Sequence, residues 1–407
     1  MKTGRIRLKW YIFIIMVPVF LLLARYFTAN QEIMNRSAIA PDTIKLFLCG
    51  DVMTGRGIDQ IQERSVHPVL YESYVKDARQ YVMLAEQENG PVEQPVSSAY
   101  VWGDAMSVWA GEDPLFRLIN LETGITVNPD PWPGKGINYR MHPANVDILT
   151  AASIDFCSLA NNHTLDWSRK GLIEMLRVLK KANIAVAGAG RDITEANQPA
   201  ILENGGSRVL ILAYGSETSG IPSSWAADEK MAGINLLPGL GSETVRRVAD
   251  QVAAIRMNGD IVVFSIHWGG NWGYEIPPVQ QEFVHRLIDE AGIDIIHGHS
   301  SHHPLGIEVY NRKLILYGAG DFINDYEGIS GHEQYQDDLT LMYFPEIDPT
   351  TGNLRAMKLY PMQIRKMKLN RAGNDEAIWL MDMLNREGKE LGTSVEMNDD
   401  GSLSLLW

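Results

Sequence analysis

Cysteine is nearly absent from this chain. The two that occur in 407 residues, Cys49 and Cys157, each lie inside an apolar run and in no paired spacing. That excludes a disulfide framework and a cysteine-ligated metal, and leaves two small buried side chains. Positive charge is also scarce: Lys and Arg total 36 against 50 Asp and Glu, for a formal net charge of −14. Such a field repels polyanions, so nucleic acid is not an expected partner. No G-x-S-x-G elbow is present, so an α/β-hydrolase serine is not indicated. The phosphate-cradling G-x-x-x-x-G-K-[ST] loop is missing too. Gly188-Ala189-Gly190 follows an apolar run but has no third glycine, which is weak support for a dinucleotide site. Internal repeats and low-complexity tracts are not found.

With 45% hydrophobic residues, the chain is long enough for one large domain or two smaller ones. Residues 1–9 carry Lys2, Arg5, Arg7 and Lys9, and 10–27 are apolar apart from Arg25. A bilayer core takes about 20 apolar residues, so 10–27 is just long enough to span it. The favoured reading is an uncleaved single-pass anchor in the cell membrane. Its basic end would be cytoplasmic and the main domain extracytoplasmic; secretion after signal cleavage is the alternative. Residues 28–43 form a linker, 44–335 the main domain and 336–407 a β-rich extension with one helix. Within the domain, 58–115 reads as an insertion over the strand ends, of the kind that forms lids.

Runs rich in β-branched residues end abruptly in polar side chains at Gly50-Asp51, Asn120-Leu121-Glu122, Asn161-Asn162-His163, His267 and the cluster His297, His299, His302, His303. Buried parallel strands look like this where they deliver ligands to their carboxyl ends. The stretch 278–291 reads as the crossover helix between the two strands that end in His267 and His299. Carboxylate, amide oxygen and imidazole gathered at one edge suit a divalent metal, Mn, Fe or Zn, as one ion or two. His297 and His303 are expected to bond to backbone instead. The loop 129–143, with Lys135 and Arg140, reads either as a rigid surface loop or as a basic patch over the site.

Taken in order, Gly50-Asp51-Val52-Met53-x-x-Arg56, Asn120-Leu121-Glu122, Ala160-Asn161-Asn162-His163-x-x-Asp166, His267-Trp268-Gly269, Gly298-His299-x-x-His302 and Tyr317-Gly318-x-Gly320-Asp321-Phe322 resemble the CapA family of capsule and poly-γ-glutamate biosynthesis proteins. The resemblance spans about residues 44–325. It implies an α/β fold, the four-layer α/β/β/α sandwich of calcineurin-like metallophosphatases. It implies Asp51, Asn162, His267, His299 and His302 as metal ligands, with Glu122 in the place of a bridging aspartate. His163 would protonate a leaving group, Asp166 would orient it and Arg56 would bind an anionic group. Met53 stands where a histidine ligand is usual, and Asp321 where an asparagine is usual. The implied function is metal-dependent hydrolysis or transfer in capsule or poly-γ-glutamate assembly. The substrate would be an anionic polymer or a phosphorylated or γ-glutamyl compound, handled within a capsule-synthesis complex. A local groove of Arg56, Lys135 and Arg140 would have to reconcile such a polymer with the net charge. The alternatives are a metallophosphoesterase or amide hydrolase of other envelope metabolites, and a non-catalytic polymer-binding scaffold.

Overall fold

The computed structural model describes residues 43–407, so the expected anchor at 10–27 lies outside the described residues. Among these, no helix is long and apolar enough to cross a membrane. β1 (Ile44–Val52), β2 (Phe116–Leu121), β3 (Phe156–Ser158) and β4 (Ala185–Ala187) run parallel, side by side. Their near-continuous apolar runs suit strands covered on both faces.

The chain then builds a second sheet. β5 (Ala200–Asn204) and β6 (Ser207–Gly215) form a hairpin, followed by β7 (Asp260–His267) and β8 (Ile295–His299), then the hairpin of β9 (Ile307–Tyr310) and β10 (Lys313–Leu316). The order is β9–β10–β8–β7–β6–β5, with β6, β7, β8 and β10 parallel. β11 (Asp321–Ile323) returns to the first sheet beside the end of β1.

The remaining strands join that first sheet. β12 (Leu339–Ile347) pairs antiparallel with β1, and β13 (Leu354–Ile364), β14 (Leu369–Arg371), β15 (Ser394–Met397) and β16 (Leu403–Leu406) extend it outward. Segment 336–407 supplies half the strands of this sheet together with one helix.

Three apolar cores fix the layers. The two sheets face each other through Leu46, Leu48 and Leu118 on one side and Ile211, Val263 and Ile295 on the other. On the outer face of the first sheet, Phe47, Cys49 and Ile119 pack against α1 (Arg79–Asn89), α2 (Ala105–Glu112) and α3 (Ser168–Lys181). On the outer face of the second, Leu212, Phe264 and Ile296 pack against α4 (Ser242–Ile255) and α5 (Pro278–Ala291). The result is helix, sheet, sheet, helix. α6 (Asn374–Gly388) closes one end of the central core with Leu380 and Leu384.

The later part of insertion 58–115 packs on the outer face of the first sheet. Trp102 and Trp109 meet edge-on at 5.5 Å, and Trp109 meets Phe47 edge-on at 5.1 Å. Large apolar side chains in the insertion have to be buried, and the outer face of the first sheet is where they go. α5 lies where its sequence puts it: Pro278 presets the first turn, Phe283, Val284, Leu287 and Ile288 form the buried stripe, and Gly292 ends it at φ +69°.

Candidate metal centre

Strand register assembles the site before any side chain is considered. Across three parallel strand ends of the first sheet, Asp321 lies opposite Asp51, and Asp51 opposite Asn120. In the second sheet His267 lies opposite His299. Because the two sheets face each other, the rows meet at their carboxyl ends.

Two groups of candidate ligands result. Ligand atoms of Asp51, His267 and His299 lie within 4.8 Å of one another, as do those of Asp51, Glu122 and Asp321, and all five residues are buried. Asp51 is common to both. Asn120 Nδ2 donates to Asp51 Oδ1 at 2.7 Å, and the Ser300 N–H donates to Oδ2 at 3.2 Å. His267 and His299 approach through their Nδ1 atoms at 2.9 Å, and Asn162 Oδ1 is 3.0 Å from His267 Nε2.

The electrostatics of these groups favour a cation. Burial, and then the neighbouring charge of Asp321, push the Asp51 carboxyl up to about 8. Burial with Asp51 and Asp321 raises Glu122 well above the usual carboxylate range. His267 and His299 are pushed well down by burial, so both keep a lone pair free to ligate. Three carboxylates drawn together out of water with so little compensating positive charge favour a divalent ion between them. The imidazole-bearing group suits Zn or Fe; the all-carboxylate group suits a harder ion such as Mn.

Several expectations need correction. Glu122 stands in one group only, and the shared carboxylate is Asp51. His302 belongs to neither group: its Nδ1 contacts both oxygens of Asp321 at 2.9 and 3.0 Å and its Nε2 meets Asn271, so it holds a ligand in place. Asp321 itself was not expected as a ligand. The signal for it is a second Gly-Asp pair closing an apolar run, as Gly50-Asp51 does. With Met53 buried and offering no nitrogen, Asp321 completes the second group.

The expected basic groove is not formed. Arg56 is buried and bonded to Glu72 at 2.9 Å, to Tyr81 at 2.9 Å and to Asp325. Two carboxylates therefore consume the charge that was expected to meet an anion. Arg140 lies over the Trp167 ring at 3.6 Å and donates to the backbone of Asn128. Lys135 alone reaches the centre, where its Nζ lies 2.5 Å from Asp166 Oδ1 and donates to the Asn162 carbonyl.

His163 is built as a positioned imidazole. Its Nδ1 is 2.6 Å from Asp166 Oδ2, and Tyr139 stacks on the ring at 3.8 Å. A carboxylate only accepts, so Nδ1 carries the ring proton and Nε2, 3.8 Å from Glu122, presents a lone pair. Burial lowers this histidine to about 4, against the pull of Asp166. His297 Nε2 meets the Cys49 carbonyl at 2.6 Å and His303 contacts Pro304 and Gly273 backbone, as their sequence context suggested.

Fold and donors define the class: a layered α/β protein with a carboxylate and imidazole cluster of metal-ligating type at its strand ends. The chain belongs to the family of bacterial capsule synthesis proteins described as PGA_cap, which it matches over residues 45–326. It is 43% identical over 368 residues to a probable polyglutamine synthesis accessory protein of Mycobacterium tuberculosis, covering 90% of this chain and 97% of the relative. Identity is 24% to the PGA biosynthesis protein CapA of Bacillus subtilis, covering 80% of this chain and 75% of that one. To the capsule biosynthesis protein CapA of Bacillus anthracis it is 23%, covering 75% and 67%.

Proposed function

We propose that this chain is an accessory protein of capsule or poly-γ-glutamate assembly, anchored outside the cell membrane by residues 10–27, with a calcineurin-like metallophosphatase site that performs hydrolysis or transfer. Its substrate would be an anionic polymer or a phosphorylated or γ-glutamyl compound, met within a capsule-synthesis complex. The observation that carries the chemistry is the sharing of Asp51 between two ligand groups, an arrangement that pairs ions. Bound there, a divalent ion supplies Lewis acidity and an activated water.

The protein's own groups do the rest. Asp51 is aimed by Asn120 and Ser300, and Asp321 by His302 and Asn324. His163, neutral and fixed by Asp166, has one free nitrogen, Nε2, at which a proton is taken up and then released to a leaving group. Lys135 balances the charge of Asp166 and ties the 129–143 loop to it.

Elemental analysis of the purified outer domain tests the reading. One or two equivalents of Mn, Fe or Zn are expected, with loss on His267→Ala and Asp51→Ala. Turnover of phosphoesters or γ-glutamyl peptides should vanish on chelation and return with metal. Turnover unaffected by chelation would refute the mechanism.

A further inference from the structure

Arg56 was the group expected to meet negative charge on the substrate, and it is occupied elsewhere. Directly above it are two phenols. Arg56 lies 4.8 Å from the Tyr139 ring centre and 5.5 Å from that of Tyr326. The two hydroxyls are 2.6 Å apart. Between them they own two O–H hydrogens, but one O···O contact uses only one. No other side chain or backbone acceptor contacts either oxygen among the described residues, so one donor is unspent.

The two phenols differ in exposure. Tyr139 is 3% exposed and its ring is stacked on His163. Tyr326 is half-buried and stands edge-on to His302 at 5.6 Å. When Tyr139 donates to Tyr326, the hydrogen of the more exposed Tyr326 is the one left for a ligand. Tyr139 stacks on His163, whose Nε2 is 3.8 Å from Glu122, and Tyr326 meets His302, which contacts Asp321, so the pair borders the carboxylate group.

We propose that the Tyr139–Tyr326 hydroxyl pair is a polar arm of the substrate site, in which Tyr139 orients Tyr326 and Tyr326 donates a hydrogen bond to an oxygen of a tetrahedral oxyanion held at the carboxylate and imidazole cluster. This rests on the metal-site reading above. A neutral donor suits this place: a cation there would compete with the metal, whereas an O–H adds directional stabilisation without net charge. The oxyanion is either phosphoryl or the tetrahedral adduct of a γ-glutamyl amide, and the probes separate the two.

Binding to the metal-loaded outer domain is measured by calorimetry with inorganic phosphate and with a γ-glutamyl phosphinate peptide, for the wild type, Tyr326→Phe and Tyr139→Phe, each checked for metal content. Tyr326→Phe should keep its metal and weaken the probe that binds about tenfold. Tyr139→Phe should weaken it about threefold or less, because Tyr326 still donates. Binding of phosphate alone assigns a phosphoryl oxyanion, and binding of the phosphinate alone assigns the acyl adduct. Equal affinity in wild type and Tyr326→Phe overturns the hydroxyl pair. Loss of metal in Tyr326→Phe also overturns it, by making the phenol a support for Asp321. A metal-loaded wild type that binds neither probe refutes the functional reading itself.

Discussion

The guanidinium of Arg56 spends its charge inside the protein, between Glu72 and Asp325, with its face on Tyr81. Removing one partner of a buried pair leaves the others charged and unsolvated, so Arg56→Met should destabilise the folded domain by about 3–5 kcal/mol. Denaturant unfolding checks this; an unchanged midpoint would mean that Arg56 is free for ligand after all. His297 makes a second prediction. Burial lowers it to about 4 from 6.5, so between those values the unfolded chain binds the extra proton. Its contribution is complete above pH 6.5 and is lost as pH falls toward 4, amounting to about 2 kcal/mol by pH 5. In thermal melts of the metal-free protein, His297→Gln should lose less stability than wild type between pH 7 and pH 5, since the amide still donates to the Cys49 carbonyl but does not titrate. Neither behaviour was legible in the sequence, because the partners of Arg56 lie at 72 and 325 and those of His297 at 49.

At the scale of elements, the junction of β1 with β11 sets the site. A Cβ on Gly50 would overlap the Gly320 carbonyl oxygen, so the two Gly-Asp pairs reach register only because position 50 has no side chain. Gly50→Ala must push β11 away and carry Asp321 with it. The expected outcome is a folded but metal-poor protein, or none in the soluble fraction, read by elemental analysis beside circular dichroism. Normal metal content in a soluble Gly50→Ala protein would contradict the role given to this crossing. Strands β1, β2, β7 and β8 were readable as unbroken apolar runs closed by polar residues, and α5 by its stripe and caps. β5 is not legible in this way: at the edge of its sheet it alternates buried and exposed positions through Leu202 and Glu203, and only its turn at Gly205-Gly206 marks it.

On the scale of the whole molecule, segment 336–407 is the least dispensable of the parts that sequence sets aside as extensions. Without it β1 loses β12 along one edge, and Leu341, Leu359 and Leu403 leave the central core. A domain ending at residue 335 should be insoluble, whereas the chain from 43 to 407 should express as a folded unit; solubility and near-ultraviolet circular dichroism decide it. The sequence by itself determined the alternation of strands and helices, the strand ends that carry Asp51, Glu122, His163, His267 and His299, and the family. Those depend on hydrophobic period and on residues adjacent in the chain. Only the tertiary structure decided that Asp321 joins the candidate ligands, that His302 stands behind it, that Arg56 is neutralised and that Asp51 is common to both groups. Each of these depends on which distant strand end comes into register, and pairing across sheets is set by the packing of the whole core.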